Sequence, residues 1–408
     1  MKFRRAGIIL LTLALALTLG LAAPGMAAQE FTFGCAVPLS GLFGKDGQLV
    51  RDAYTFWMET INARGGIAGK YKVRIIFYDD QSDPQTSAKL VERLVTQDKV
   101  DLLLGGFGSS QVMAASAAAE RHKFPYLSGG ASSNKLYERG ARYYFGTLGK
   151  ATEEVRGCVD VFTSVTPRPK TVAIVGANIP FTAESCKGYK LYAEKYGFKV
   201  VHYELFPISL KDYNTMLLKA KAKKPDVLLV GSHLAVAMRV VKAMKEIDFN
   251  PKGVAFSYGP TVPAFVQGLK ADANYVFAAS EWTPNLPYKG PVFGSARQFN
   301  QAYRQRFRRS PDYVEAASTA AAVVQQVAME QLGLKPRVTA ADRVRLMEKL
   351  HQIDLMTFYG PIHFGKSGAN REHPPVAVQV QNGQLINVYP AKWAEKPPIY
   401  PTPAWNKR

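Results

Sequence analysis

The sequence predicts an α/β protein made of two doubly wound parallel-sheet lobes. Short apolar runs bounded by turn residues alternate with stretches of helical periodicity from residue 31 onward. The alternation completes one set and restarts near Lys150, and most strand-like runs are followed by glycine- and serine-rich text. Strands alternating with helices at this rhythm mean βαβ units and parallel sheets, and two sets mean two lobes.

FTFGCAV (31–37) reads as a buried strand, and GQLVRDAYTFWMETINARGG (47–66) carries apolar residues at helical spacing before stopping at Gly65-Gly66. VRIIFY (73–78) is a strand, followed by a helix from Pro84 to Gln97 and a strand at 100–106. A helix at 110–122 and a short strand at 124–128 close the first set. The second set opens with a helix at 151–165, then pairs strand 171–176 with helix 182–196 and strand 198–206 with helix 211–222. Strand 226–231, helix 234–247 and strand 253–257 complete it.

The chain begins with Lys2, Arg4 and Arg5, then an uncharged apolar run from Ile8 to Leu21 and small residues around Gly25 to Ala28. That tripartite order predicts a cleavable secretory signal over 1–28, cut near Ala27 or Ala28, and a periplasmic protein. No cysteine sits near the cut, so no lipid anchor is expected at the new terminus. No later segment is long and apolar enough to cross a bilayer, and about 380 mature residues suit two domains. Formal net charge is 52 − 32 = +20, or +17 without the three basic residues of the leader. The basic clusters KAKAKK (219–224) and RQRFRR (304–309) fall in helix-like text and read as solvated helical faces, so no nucleic-acid partner is expected. Cys35, Cys158 and Cys186 leave one thiol unpaired at best; export permits a Cys158–Cys186 bridge, but spacing does not fix it.

GPIHFGKSG (360–368) matches a phosphate-loop pattern, yet Asn370 to Pro375 cannot start a helix on Lys366 and Pro361 lacks an amide. ATP binding is not expected there. No metal-ligand spacing, hydrolase elbow or cofactor motif appears, so no metal, no cofactor and no enzyme are expected. Asp79 and Asp80 are adjacent and, on a strand, face opposite sides.

A doubly wound sheet exposes its ligand site beyond the carboxyl ends of its strands. The loops there are VPLSGLFGKDGQ with Asp46, GGFGSSQ with Ser109 and Ser110, and SGGASSNK with Gly130, Ala131 and Ser132. From the second set come GANIPFTAE with Phe181, GSHLA with His233, and SYGPTVP with Tyr258 and Thr261. Glycine admits a ligand to the backbone, serine supplies donors and acceptors, and helix amides receive a carboxylate. A serine before a helix can equally be an ordinary N-cap.

PLSG with a glycine six residues on, INARGGIAG, DDQSDPQTSAKLVERLVTQDKVDLLLGGFGSS, AKKPDVLLVG and FYGPIHF stand in order across nearly the whole mature chain. In this the sequence resembles the leucine/isoleucine/valine-binding type of periplasmic substrate-binding protein of ABC transporters. The resemblance implies the type I fold, with two lobes joined by a three-segment hinge. It puts residues 29–148 and 277–357 in the first lobe and 149–276 and 358–408 in the second, with the last crossover near Thr357 to Gly360. It implies that Ser109 binds a ligand carboxylate, Gly130 offers a carbonyl to an ammonium, Ser132 adds a hydroxyl and Phe181 an aromatic wall.

Three positions depart from the family pattern. A first-loop aromatic is replaced by Asp46, a second-lobe tyrosine by Ser232 or His233, and the ammonium-pairing glutamate by Thr261 or a neighbour. Either Asp46 supplies that charge, making the ligand an amino acid, or the ligand is an aromatic or aliphatic carboxylate or an amide. Asp46 also fits as an ordinary acid at a helix N-terminus. The expected partners are a small-molecule ligand and ABC permease membrane subunits, with the chain a monomer. A ligand sensor coupled to a membrane receptor would show the same cleft. Trp282 is expected to pack at the hinge.

Overall fold

The computed structural model describes residues 30–371 and 374–408; the expected leader lies outside the described residues. The first lobe is built from β1 (Glu30–Val37), α1 (Gly44–Ala63), β2 (Lys72–Asp79), α2 (Pro84–Thr96) and β3 (Leu102–Leu104). It continues through α3 (Ser109–Arg121), β4 (Tyr126–Ser128), α4 (Lys135–Glu138) and β5 (Tyr144–Gly146). Its strands lie in the order β2-β1-β3-β4-β5, each pairing parallel. β1 and β3 are apolar and buried almost throughout, as strands covered on both faces by helices must be. α2 starts where Asp83 accepts from the amide of Thr86 at 2.7 Å, with Pro84 in the first turn where its missing N–H costs nothing.

The second set runs α5 (Ala151–Glu154), α6 (Arg156–Ser164), β6 (Thr171–Ala177), α7 (Pro180–Lys195) and β7 (Lys199–Phe206). α8 (Asn214–Ala222), β8 (Val227–Gly231), α9 (Leu234–Glu246), β9 (Gly253–Phe256), α10 (Pro263–Leu269) and β10 (Phe277–Ser280) follow. The remainder comprises β11 (Lys289–Gly290), β12 (Gly294–Ser295), α11 (Ala296–Phe307), α12 (Tyr313–Gln331) and α13 (Ala340–His351). It ends with β13 (Asp354–Met356), β14 (Pro361–His363), β15 (Val376–Gln381) and β16 (Gln384–Tyr389). The second sheet has the order β16-β15-β10-β9-β8-β6-β7, parallel from β10 to β7 and antiparallel at β15 and β16.

Pairing moves two of the expected lobe boundaries. β10 hydrogen-bonds between β9 and β15, so Phe277 to Ser280 sit with the second lobe and the chain leaves that sheet only after Ser280. It then returns to the first lobe, where α12 packs on α1 and β4. It stays there beyond Gly360: Ala369 bridges Gly146 at the end of β5, and the Asn370 side chain donates to the carbonyl of Thr147 at 3.1 Å. The backbone groups of that sheet edge are satisfied by residues the resemblance assigned to the other lobe. Trp282 does tie the crossing strands together, donating from Nε1 to the carbonyl of Phe358 at 3.1 Å.

Candidate functional site

The first-lobe wall grows from the loops after β3 and β4. Gly108, at φ +87°, takes the left-handed backbone that turns the chain into α3, and its amide donates to the carbonyl of Gly130 at 2.9 Å. Gly130 must be glycine because a Cβ there would lie 2.5 Å from the carbonyl oxygen of Gly106. The two loops are thereby locked side by side. Ser109 opens α3, its hydroxyl accepting from the amide of Ser133 at 3.1 Å. Ser132 donates to Glu154 at 2.8 Å, and the Tyr313 hydroxyl donates to the other oxygen of the same carboxyl.

The second-lobe wall consists of Phe181 on α7, His233 at the start of α9 and Tyr258 after β9. Ser232 is held away from the opening, its hydroxyl donating to the carbonyl of Tyr258 at 2.8 Å, so of the two residues considered for that position His233 faces the cleft. The His233 ring centroid lies 4.8 Å from Phe43, 5.8 Å from Phe107, 5.1 Å from Phe181 and 6.2 Å from Tyr258. Phe43 and Phe107 belong to the first lobe, so rings of both lobes meet around one imidazole. Burial alone pushes His233 down to about 3, so the ring is neutral, and its Nδ1 has no partner.

Between these walls lies a cavity of about 20 Å³, room for roughly one water molecule. Of the residues predicted for the site, Ser109, Gly130, Ala131, Ser132, Phe181, His233 and Tyr258 line it together. Asp46, Ser110 and Thr261 do not. Ser110 is half-buried on α3. Thr261 faces a separate outer groove of about 520 Å³ and lies beside Asp312. Asp46 is 1% exposed beneath Tyr258.

Sequence reasoning missed Phe107, Leu148, Tyr313 and Val314 in the lining, and Asp312 behind it. The run Asp312-Tyr313-Val314-Glu315 carried a signal: it is a capping box, with the Asp312 side chain and amide satisfied reciprocally with α12. That pattern marks a helix start but says nothing of what the start faces.

Two pairs of buried carboxyls flank the cavity. Burial and then Asp312 push Asp46 up to about 8, while burial raises Asp312 to about 6. Burial and then Glu281 raise Glu154 to about 8; Glu281, raised to about 7 by burial, accepts from the Tyr359 hydroxyl at 2.6 Å and the Gly149 amide at 2.8 Å. Gly149, Glu281 and Tyr359 stand at the crossing segments, so the second pair joins the hinge to Ser132 and Tyr313.

Other sequence features settle elsewhere. Residues 361–363 form β14 and 365–368 a turn closed by the Gly368 amide on the carbonyl of Gly365 at 2.8 Å, and the next element among the described residues is the strand β15. Asp79 organises the loop after β1, accepting from the amides of Leu39 at 2.8 Å and Gln81 at 2.8 Å. All three cysteines are buried, free thiols. Arg309 is no solvated helical residue: its side chain is 24% exposed and pairs with Asp52 at 2.9 Å and buried Glu315 at 2.6 Å. Among the described residues, no group of His, Cys, Asp and Glu could hold a metal ion, and no helix is long and apolar enough to cross a membrane.

The family model described as periplasmic binding protein matches residues 30–384. The chain belongs to this family. Among curated relatives, the Leu/Ile/Val-binding protein homolog 8 of Brucella abortus is 23% identical over 389 residues, covering 89% of this chain and 91% of that protein. The branched-chain amino acid transporter substrate binding protein LivJ of Streptococcus pneumoniae, solved with isoleucine, superposes with a TM-score of 0.77 at 21% identity, over 88% of this chain and 98% of that one. An ABC transporter solute binding protein of R. palustris, solved with benzoate, gives 0.76 at 14% identity, over 92% of this chain and 97% of that one. These structural likenesses establish the type I fold of periplasmic binding proteins for the two lobes.

Proposed function

We propose that this protein is the periplasmic substrate-binding component of an ABC importer, capturing a small carboxylate between its lobes and delivering it to a membrane permease. The observation that carries this reading is the cavity between the walls. On one side stand Ser109 at the N-terminus of the 13-residue α3 and Gly130 and Ser132 in the loop after β4, and on the other the rings of Phe181, His233 and Tyr258. Helix amides and serine hydroxyls stabilise a carboxylate, and rings cover an apolar body. The isoleucine and benzoate complexes of proteins sharing the fold support a ligand of that size and charge. The ligand binds the first lobe of an open protein, and contacts made only with Phe181, His233 and Tyr258 stabilise closure. No turnover is assigned to the site, and the energy for transport comes from a separate cytoplasmic ATPase.

Ser109→Ala tests this in protein unfolded and refolded to strip carried-over ligand. Calorimetric titration with isoleucine, phenylalanine and benzoate should show at least one binder, weakened about tenfold by the substitution. An unchanged affinity would move the site elsewhere.

A further inference from the structure

The end of the second lobe opposite the cleft carries a basic face that ligand capture does not use. β9, β8, β6 and β7 lie side by side and parallel, so their first residues share one edge of the sheet, while Tyr258, His233 and Phe181 follow the last residues of β9, β8 and β6. Lys252 precedes β9, Lys224 and Asp226 precede β8, Lys170 precedes β6 and Lys199 opens β7. Hydrogen bonds tie these starts together: the Lys199 amide donates to the carbonyl of Lys170 at 2.9 Å, and the Lys170 amide donates to Asp226 at 2.7 Å. The end of α8 adds Lys221 and Lys223. Lys221, Lys224 and Lys252 share one open depression of about 450 Å³ with Asp226 and Asp248.

Most acids at this end already have cations. Asp226 pairs with Lys252 at 2.7 Å, Asp272 with Lys245 at 2.9 Å and Glu194 with Lys190 at 3.8 Å, leaving Glu246 and Asp248 at the end of α9. Among the described residues no carboxylate pairs with Lys170, Lys199, Lys223 or Lys224, and all four are exposed. Lysines closing α8 offset the negative end of its dipole, but that account does not reach Lys170, Lys199 and Lys252, which stand at strand starts. Gripping a single phosphate would call for an arginine fork or buried donors, whereas lysines are mobile point charges suited to a diffuse anionic surface. Strands spaced about 4.8 Å apart spread this row over roughly 14 Å, wide enough to face several lipid headgroups.

We propose that this face docks on an anionic phospholipid bilayer and holds the protein at the membrane with its cleft turned away from the lipid. The five residues of β8 put about 17 Å between face and cleft, about twice the screening length of 8 Å in physiological salt, so docking leaves ligand capture undisturbed. The inference adds a membrane surface to the binding function proposed above and rests on observations separate from the cleft.

Vesicle sedimentation tests it, using mature protein freed of the apolar leader that would itself enter a bilayer. Binding to phosphatidylcholine vesicles should require an equal part of phosphatidylglycerol and weaken about tenfold or more between about 0.05 M and 0.3 M salt. The triple variant Lys170→Glu/Lys199→Glu/Lys223→Glu should bind about tenfold more weakly than wild type, and Lys170→Gln/Lys199→Gln/Lys223→Gln should fall between the two. Lys70→Glu/Lys89→Glu/Lys335→Glu makes the same change of charge at exposed positions of the first lobe and should stay within about threefold of wild type. Absence of binding to the anionic vesicles, or equal losses in the two Glu variants, overturns the proposal. Tighter binding to a short DNA duplex than to the vesicles also overturns it. These measurements need no cleft ligand, so their failure is distinct from failure of the Ser109→Ala titration.

Discussion

Raising the pH of the ligand-free protein from 5 to 7 is expected to lower its melting temperature, because the buried carboxyls beside the cavity hold protons that the unfolded chain releases. Burial raises Asp46 and Glu154 to about 8, Glu281 to about 7 and Asp312 to about 6, from ordinary values of 3.8 and 4.5. A raised carboxyl contributes stability that is fully present below its unfolded pKa and is lost as pH climbs through the folded one. Counting one retained proton for each close pair, Asp46 with Asp312 and Glu154 with Glu281, gives a loss of about 2.7 kcal/mol per pH unit. His233 acts with the opposite sign. Its ring is pushed down from 6.5 to about 3, so below pH 6.5 the unfolded chain takes up a proton that the folded protein refuses. From these groups the net loss is therefore about 1.4 kcal/mol per unit up to pH 6.5 and steeper above, or about 3 kcal/mol in all, and Glu315 and Asp80, raised by burial to about 7 and about 6, add to it with the same sign. For a chain of this size that corresponds to a fall of roughly 3–6 °C. Differential scanning calorimetry in about 0.15 M salt, where surface charges are screened beyond about 8 Å, measures it. The double variant Glu154→Gln/Glu281→Gln should remove about half of the carboxyl contribution. A melting temperature that is flat or rises from pH 5 to 7 would refute the reasoning.

Two structural predictions accompany it. Arg309→Met strands Glu315, fully buried, without its cation and should destabilise the protein by about 3–5 kcal/mol in chemical denaturation, whereas loss of an exposed, solvent-screened pair such as Arg306 with Glu59 should cost far less. Gly129→Ala places a Cβ 2.2 Å from the amide nitrogen of Ser318 and must push α12 outward, carrying Asp312 and Tyr313 with it; thermal melts should show a loss of stability and titrations a loss of ligand affinity, and an unchanged protein would contradict that packing.

The lobes were legible because their signals are local. The buried strand 31–37 and the Gly65-Gly66 stop need only period and turn chemistry, and they appear within a few residues of where the sequence puts them. Helix 151–165 arrives as two helices broken at Val155, a detail that periodicity does not encode. The hinge was misread for a different reason. The strand 361–363 and the turn 365–368 read the same in either lobe, and only the pairing of Ala369 and Asn370 to Gly146 and Thr147, more than 200 residues earlier in the chain, shows which lobe they join. The cavity was half legible: residues just past strand ends follow from topology, so Ser109, Ser132 and His233 could be named. Asp312 caps and Tyr313 opens a helix that returns from the other side of the hinge, and no local rule aims them inward.

The rings explain why closure and ligand size are linked. In this arrangement Phe43 and Phe107 of one lobe touch His233 of the other, and His233 in turn packs on Phe181, so apolar surface from both lobes is already buried across the cleft. A space of about 20 Å³ cannot take an isoleucine or a benzoate. Any such ligand must therefore replace ring–ring contacts with its own rather than fill a ready-made hole, and its net contribution to closure is the difference between the two sets. Apolar burial alone gives little difference, since rings exchanged for a side chain bury similar area. A ligand's carboxylate has more to gain, at the serines and helix amides of the first-lobe wall. Discrimination in this cleft should accordingly follow the charges of the ligand more than the shape of its side chain.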